Sequence, residues 1–360
     1  MKITFVNPVP NLSGGMRVTA IYASLLQKQG HEVCLVALPP PQPTLKDRIK
    51  SVLRREPLVP WKMHLDHFER LGLNCQILEQ HRPVTDDDLP DADVVIATWW
   101  ETAEWVGKLS PSKGAKVYYI QHYETFDYLP QERVEATYRL PLYKITVANW
   151  IRDLMLLRFG DRDVVVVPPS VDMEQFYAPK RGKQAVPTVG VLYNPNTWKG
   201  CDLAFKALEL AVQRVPELRL VAFGFGDSLD LPFLPDFQYE PHPQQHQLRE
   251  YYSACDAWLF PSRYEAVGLP ILEAMACRTP VIGTPVGIAP EMLSDGTGIL
   301  VKPEDPEDMA RAIEQVCHFS NSTWQTMSNL AYNKVTNYTW DDAASQFEAA
   351  LYRAIDRVKV

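Results

Sequence analysis

Residues 257–285 read AWLFPSRYEAVGLPILEAMACRTPVIGTP. The opening AWLF is a short apolar run between Asp256 and Pro261 and predicts a buried strand; TPVIGTP at the far end predicts another. Between them, Gly268 permits a close backbone approach, and Pro270 suits a helix start, where its missing N–H costs nothing. Strand, loop, helix and strand in this order make a parallel α/β unit whose loop leaves the carboxyl edge of the sheet, where such folds bind ligands. Helix-start amides at Gly268 and Leu269 and the positive dipole end suit a diphosphate. Glu273, beyond the helix start, is placed to accept both hydroxyls of a ribose, and Glu265, before it, to accept hydroxyls of a sugar on the far side of the phosphates. An isolated pair of glutamates at this spacing is common by chance, with one exposed in a loop and the other complementing the helix dipole.

The same plan recurs on either side. Strand KITFVNP (2–8), loop VPNLSGG, a helix from Met16 to Gln29, Gly30 as its terminator and strand HEVCLVAL (31–38) open the chain. DVVIATWW, KVYYIQH, YKITVAN and DVVVVPP follow as further buried parallel strands, which closes a first domain at 1–168. Residues 169–187, rich in proline and polar side chains, predict a linker. A second domain, 188–338, repeats the plan with TVGVLY, NPNTWKG, the helix CDLAFKALELAVQRV and LRLVAFGFG. The expected class is α/β, two Rossmann-like doubly wound domains facing a central cleft. The amphipathic 339–360 segment, opening on a threonine cap signal, predicts a long terminal helix.

Bulk composition limits the function classes. With 360 residues, 46% hydrophobic, the chain exceeds one ordinary core. A net charge of -8 excludes a general nucleic-acid surface, so bound phosphate must be held locally. Six cysteines without a C-x-x-C pair suit buried thiols in a reducing compartment, with neither a zinc site nor a disulfide frame. No apolar run approaches the roughly 20 residues needed to cross a bilayer, so the expected location is cytoplasmic. LKDRIKSVLRR (45–55) places basic side chains around an apolar stripe; it predicts either a basic surface helix packed on its own domain or a peripheral contact with the inner membrane face.

Taken together, E-x7-E at 265 and 273, GG at 14–15, WKG at 198–200, VPPSVDMEQF at 167–176 and TPVIGTPVG at 279–287 resemble retaining glycosyltransferases of family 4, glycosyl transferases group 1, which have the GT-B fold. The resemblance extends over essentially the whole chain. It implies transfer of a sugar from a nucleoside diphosphate sugar to a carbohydrate, lipid-linked or small-molecule acceptor, without a cofactor or an essential metal. It assigns the donor sugar to Glu265 and the ribose to Glu273. Lys199 neutralises the diphosphate, the Gly14–Gly15 loop closes over phosphates and acceptor, and His122 lies beside the transferred sugar. It also implies that the terminal helix crosses back onto the first domain. Where the family commonly has an arginine, six residues before Lys199, this chain has Tyr193, so either another basic residue such as Arg263 supplies the second positive charge or donor binding is weak. Tyr123, Glu124 and Trp100, at neighbouring strand ends, are candidates for the acceptor side. No G-x-G-x-x-G occurs, and no acidic residue ends the second strand, which weighs against a dinucleotide dehydrogenase. DAD (91–93) and DRD (161–163) precede their strands, at the edge opposite the ligand side, and predict turns rather than a manganese site. The alternatives are a catalytically silent nucleotide-sugar-binding protein and an epimerase or phosphorylase of the same fold.

Overall fold

A computed structural model describes residues 1–42, 63–234 and 236–359, so the basic 45–55 stretch lies outside the described residues. The chain divides into two compact units, Met1–Pro169 with Asp341–Val360, and Ser170–Trp340.

In the first unit, seven strands form one parallel sheet: β1 (Lys2–Asn7), β2 (Glu32–Ala37), β3 (Cys75–Ile77), β4 (Val94–Ala97), β5 (Ala115–Ile120), β6 (Tyr143–Thr146) and β7 (Val165–Val166). Their order, β3-β2-β1-β4-β5-β6-β7, reverses direction between β1 and β4. β4 is buried at every position, as the unbroken VVIA run requires of a strand covered on both faces. The terminal helix Trp340–Lys359 brings Phe347 into the core of this unit. The Phe347 ring stacks on Tyr22 at 4.4 Å and meets Tyr119 edge-on at 5.1 Å. Near the start of the chain, His31 joins the same helix through Glu348 Oε1 at 2.8 Å.

The second unit repeats the arrangement with six parallel strands: β8 (Thr188–Tyr193), β9 (Arg219–Gly224), β10 (Phe237–Pro241), β11 (Ala257–Phe260), β12 (Val281–Gly283) and β13 (Gly298–Leu300). The order β10-β9-β8-β11-β12-β13 puts its reversal between β8 and β11. There Gly190 pairs with Trp258, and a Cβ on Gly190 would sit 2.3 Å from the indole ring. Glycine at 190 is what leaves room for the buried indole beside the strand.

The expected 169–187 linker is docked on the second unit. Arg181 Nη2 donates to Thr279 Oγ1 at 2.8 Å, the Gln184 N–H donates to Asp256 Oδ1 at 2.8 Å, and Lys183 Nζ reaches Phe319 O at 3.1 Å. Its prolines prevent regular structure, but its polar side chains hydrogen-bond into the unit.

Truncating Phe347 removes a fully buried aromatic side chain from three ring contacts. Phe347→Ala is expected to destabilise the first unit by about 3–5 kcal/mol. Urea unfolding should show the first unit's transition moved to lower denaturant and that of the second unit unmoved.

Candidate functional site

The reversal between β8 and β11 creates a crevice at the carboxyl edge of the second sheet, the position where open parallel sheets bind ligands. After β8 the chain makes one 3₁₀ turn, Thr197–Lys199, and enters the helix Cys201–Val212 through Gly200. Gly200 has φ 65°, and a Cβ there would lie 2.0 Å from the Pro261 carbonyl oxygen. Only glycine lets the turn pack this closely on the end of β11. Lys199 is thereby set beside the loop that follows β11. Its Nζ donates to Glu265 Oε1 at 2.5 Å, and Ser262 Oγ donates to the same oxygen at 3.0 Å. Leu192, Lys199, Ser262, Glu265 and Pro270 line a small, partly open pocket.

The loop closes on the helix Leu269–Ala276, with Gly268 as its N-cap at φ 91°. The Ile271 N–H is the first to find a carbonyl of the same helix start, Gly268 O at 2.9 Å, which leaves the Gly268 and Leu269 amides outside the intrahelical ladder. Pro270 is the second residue of the helix, one later than the sequence predicted. Glu273 falls in the second turn and is buried, with Oε2 accepting from the Tyr252 hydroxyl at 2.7 Å. TPVG (284–287) braces the loop from the other side. Thr284 Oγ1 donates to Ser262 O, the Ile288 N–H donates to Val267 O at 2.9 Å, and a Cβ on Gly287 would stand 2.4 Å from Val267 O.

The geometry redirects Arg263. Its Nε and Nη2 donate to Glu304 at 2.6 and 2.9 Å, Nη1 and Nη2 donate to Asp202 at 2.7 and 2.9 Å, and Nη1 also donates to Thr197 O at 2.6 Å. All five N–H bonds are therefore taken, and the guanidinium has none left for a phosphate. Hydrogen bonding to Arg263 holds the carboxyls of Asp202 and Glu304 below their usual range. Tyr193, the last residue of β8, packs its ring 5.9 Å from both Phe205 and Tyr239 and brings no charge.

In the first unit, Gly14 and Gly15 form the first turn of the helix Gly14–Lys28, capped by Ser13, whose Oγ accepts from the Met16 N–H. The loop expected at the glycine pair is instead residues 8–13, whose Val9 and Pro10 are buried. A Cβ on Gly15 would come 3.3 Å from Gln121 Oε1, and Gln121 Nε2 donates to Thr19 Oγ1 at 3.1 Å, so the end of β5 lies against this helix start. His122 follows, with Nδ1 donating to Tyr123 O at 3.0 Å and its ring 5.0 Å from Phe126. Tyr123, Glu124 and Trp100 are all buried and do not form an open acceptor face. The Tyr123 hydroxyl donates to Glu135 at 2.7 Å, and the Trp100 N–H donates to Glu124 Oε2 at 2.9 Å. Burial pushes the Glu124 carboxyl well up. These residues build the floor beneath the strand ends. The aspartates of DAD and DRD are engaged elsewhere: Asp91 pairs with Lys113, Asp93 accepts from the Lys2 N–H, Asp161 pairs with Lys144 and Asp163 with Arg357.

Sequence reasoning missed Ser262 and Tyr252 as partners of the two glutamates. Ser262 stands three residues from Glu265 and was open to inspection; Tyr252 reaches Glu273 only through the packing of two helices.

Among curated relatives, the D-inositol 3-phosphate glycosyltransferase of Stackebrandtia nassauensis is 29% identical over 228 residues, 56% of this chain and 51% of the relative. That of Corynebacterium diphtheriae is 38% identical over 111 residues, 31% of this chain and 26% of the relative. The matched segment thus spans about half the length of the first relative and less of the second. Among solved structures, Anabaena Alr3699/HepE in complex with UDP superposes with a TM-score of 0.75 at 16% identity, covering 98% of this chain and all of that one. Sucrose-phosphate synthase from Thermosynechococcus elongatus gives 0.74 at 16% identity, covering 99% of this chain and all of that one. As a whole the chain has the GT-B fold, and residues 183–318 match the glycosyl transferases group 1 family.

Proposed function

We propose that this chain is a glycosyltransferase that takes a sugar from a nucleoside diphosphate sugar and transfers it, with retention, to an acceptor hydroxyl in glycoconjugate or polysaccharide synthesis. The observation that carries the reading is the Lys199–Glu265 pair beside the helix start at Gly268, at the strand reversal of the second unit. One ammonium, two helix-start amides and a partly buried carboxylate within one loop system suit a diphosphate joined to a polyhydroxy ring. The names of the sequence relatives and the UDP bound in a structural neighbour support the same substrate class and make UDP the first nucleotide to test.

In this reading Lys199 and the Gly268 and Leu269 amides stabilise charge that grows on the departing nucleotide diphosphate. Glu265 holds hydroxyls of the sugar, and Glu273, fixed by Tyr252, those of the ribose. His122 and the Gly14–Gly15 helix start, at the corresponding edge of the first sheet, are assigned to sugar and acceptor contact. No cofactor or essential metal takes part. Transfer is read as a same-face displacement, in which the acceptor hydroxyl bonds to the anomeric carbon as the bond to the diphosphate breaks and the acceptor proton passes to the leaving phosphate oxygen.

A second reading, a silent nucleotide-sugar binder, draws on Tyr193 and on the full commitment of Arg263, which leave Lys199 as the cation aimed at the loop. Calorimetry against UDP, GDP, ADP, dTDP and their sugars, followed by product detection with an acceptor panel, separates the two. Tight donor binding without turnover selects the silent binder, and binding of no nucleotide removes both.

Lys199→Ala is expected to weaken the preferred nucleotide by about 10- to 100-fold, the equivalent of about 1.5–3 kcal/mol for a hydrogen bond to a charged group. Glu265→Gln should act in opposite directions on two ligands. The nucleoside diphosphate alone should bind about five- to tenfold more tightly, because a carboxylate that competes for Lys199 has become neutral. The additional affinity contributed by the sugar should shrink. Equal weakening of both ligands would remove Glu265 from the sugar side.

A further inference from the structure

Arg263 lies two residues before Glu265 and does nothing in the donor site as proposed. We propose that it is a positioning residue that fixes Lys199 in place, an inference that rests on the donor reading. From this one residue, two bonds reach the 3₁₀ turn that carries the lysine: the Arg263 N–H donates to Trp198 O at 2.8 Å and Nη1 donates to Thr197 O at 2.6 Å. The other N–H groups fork onto Asp202, in the first turn of the helix that follows, and onto Glu304, after β13. Glu304 has φ 54°, a left-handed conformation that costs a non-glycine residue energy and persists where its surroundings hold it. The turn itself is weak. It is three residues long, closed by Lys199 N–H to Asn196 O at 2.9 Å and Gly200 N–H to Thr197 O at 3.1 Å, and so short a 3₁₀ segment has little stability of its own.

The carboxylates are more than half exposed, at 56% for Asp202 and 60% for Glu304, and exposed ion pairs add little to global stability. What two bidentate forks supply is direction. They join the ends of β11 and β13 and the start of the helix Cys201–Val212 to the one turn from which Lys199 projects.

The test is a thermodynamic cycle on nucleotide affinity with Arg263→Met, Arg263→Lys, Lys199→Ala and the Arg263→Met/Lys199→Ala double variant. UDP, or whichever of UDP, GDP and ADP binds the wild-type chain, is the probe, and amide exchange is followed in the peptide spanning 196–200. Arg263→Met should weaken the nucleotide about tenfold when Lys199 is present and less than twofold when it is alanine. Arg263→Lys, which keeps the charge and loses the fork, should resemble Arg263→Met. Exchange at the Lys199 and Gly200 amides should quicken in both. A tenfold loss that persists without Lys199, full rescue by lysine, or unchanged exchange would each overturn the proposal. Should the wild-type chain bind none of these three nor dTDP, the donor reading fails by itself, and the exchange rates still decide whether Arg263 holds the turn.

Discussion

The second unit's site depends on one close approach, that of Gly200 to the carbonyl of Pro261. With a side chain at 200, the turn after β8 and the loop after β11 must separate, and Lys199 and Glu265 separate with them. Adjacent strands at a reversal of a parallel sheet send their crossover helices to opposite faces, so the loops at their carboxyl ends diverge and leave a crevice. Gly200 narrows that crevice enough for a lysine on one side to reach a carboxylate on the other. Gly268 and Gly287 do the same for the far side of the loop, where a Cβ would strike Phe260 and Val267 respectively. The chemistry is carried by charged side chains, but the glycines set their distances.

Much of this was legible in the sequence, for definable reasons. β4 and β11 are unbroken apolar runs, and β5 and β8 largely apolar ones, because both faces of a parallel sheet are covered, and those runs locate the strand ends that bear the functional loops. The strands left unread are the outer ones. β3, β10 and β13 lie toward or at the edges of their sheets, and CQI, FQYEP and GIL are short or mixed in polarity. The helix Asn321–Thr336 was also missed. Its sequence is rich in Asn, Ser and Thr, and it is anchored to the unit by buried Trp324, whose indole N–H donates to Asp256 O at 2.8 Å.

Site residues were legible by position but not by state. The sequence placed Lys199 in the turn after β8, Arg263 and Glu265 in the loop after β11 and Glu273 in the helix that follows, where the structure also has them, because spacing along the chain fixes that. It did not show that Arg263 has five protein acceptors around it, or that Tyr123, Glu124 and Trp100 point into the first unit, because those facts depend on residues 12 to 66 positions away. An arginine within reach of two carboxylates and a free arginine look the same in one dimension.

The place of Phe347 in the first unit has a consequence for how the molecule is made. The ribosome delivers β1 ahead of the whole second unit, yet the aromatic cluster around Tyr22 and Tyr119 remains without its central ring until the helix Trp340–Lys359 emerges. The second unit, continuous from Ser170 to Trp340, has its whole core available sooner. Synthesis from the N-terminus ordinarily lets the first domain fold first. Here the unit begun first cannot be completed until the second has emerged, so its sheet must wait for Phe347 to fill its aromatic cluster.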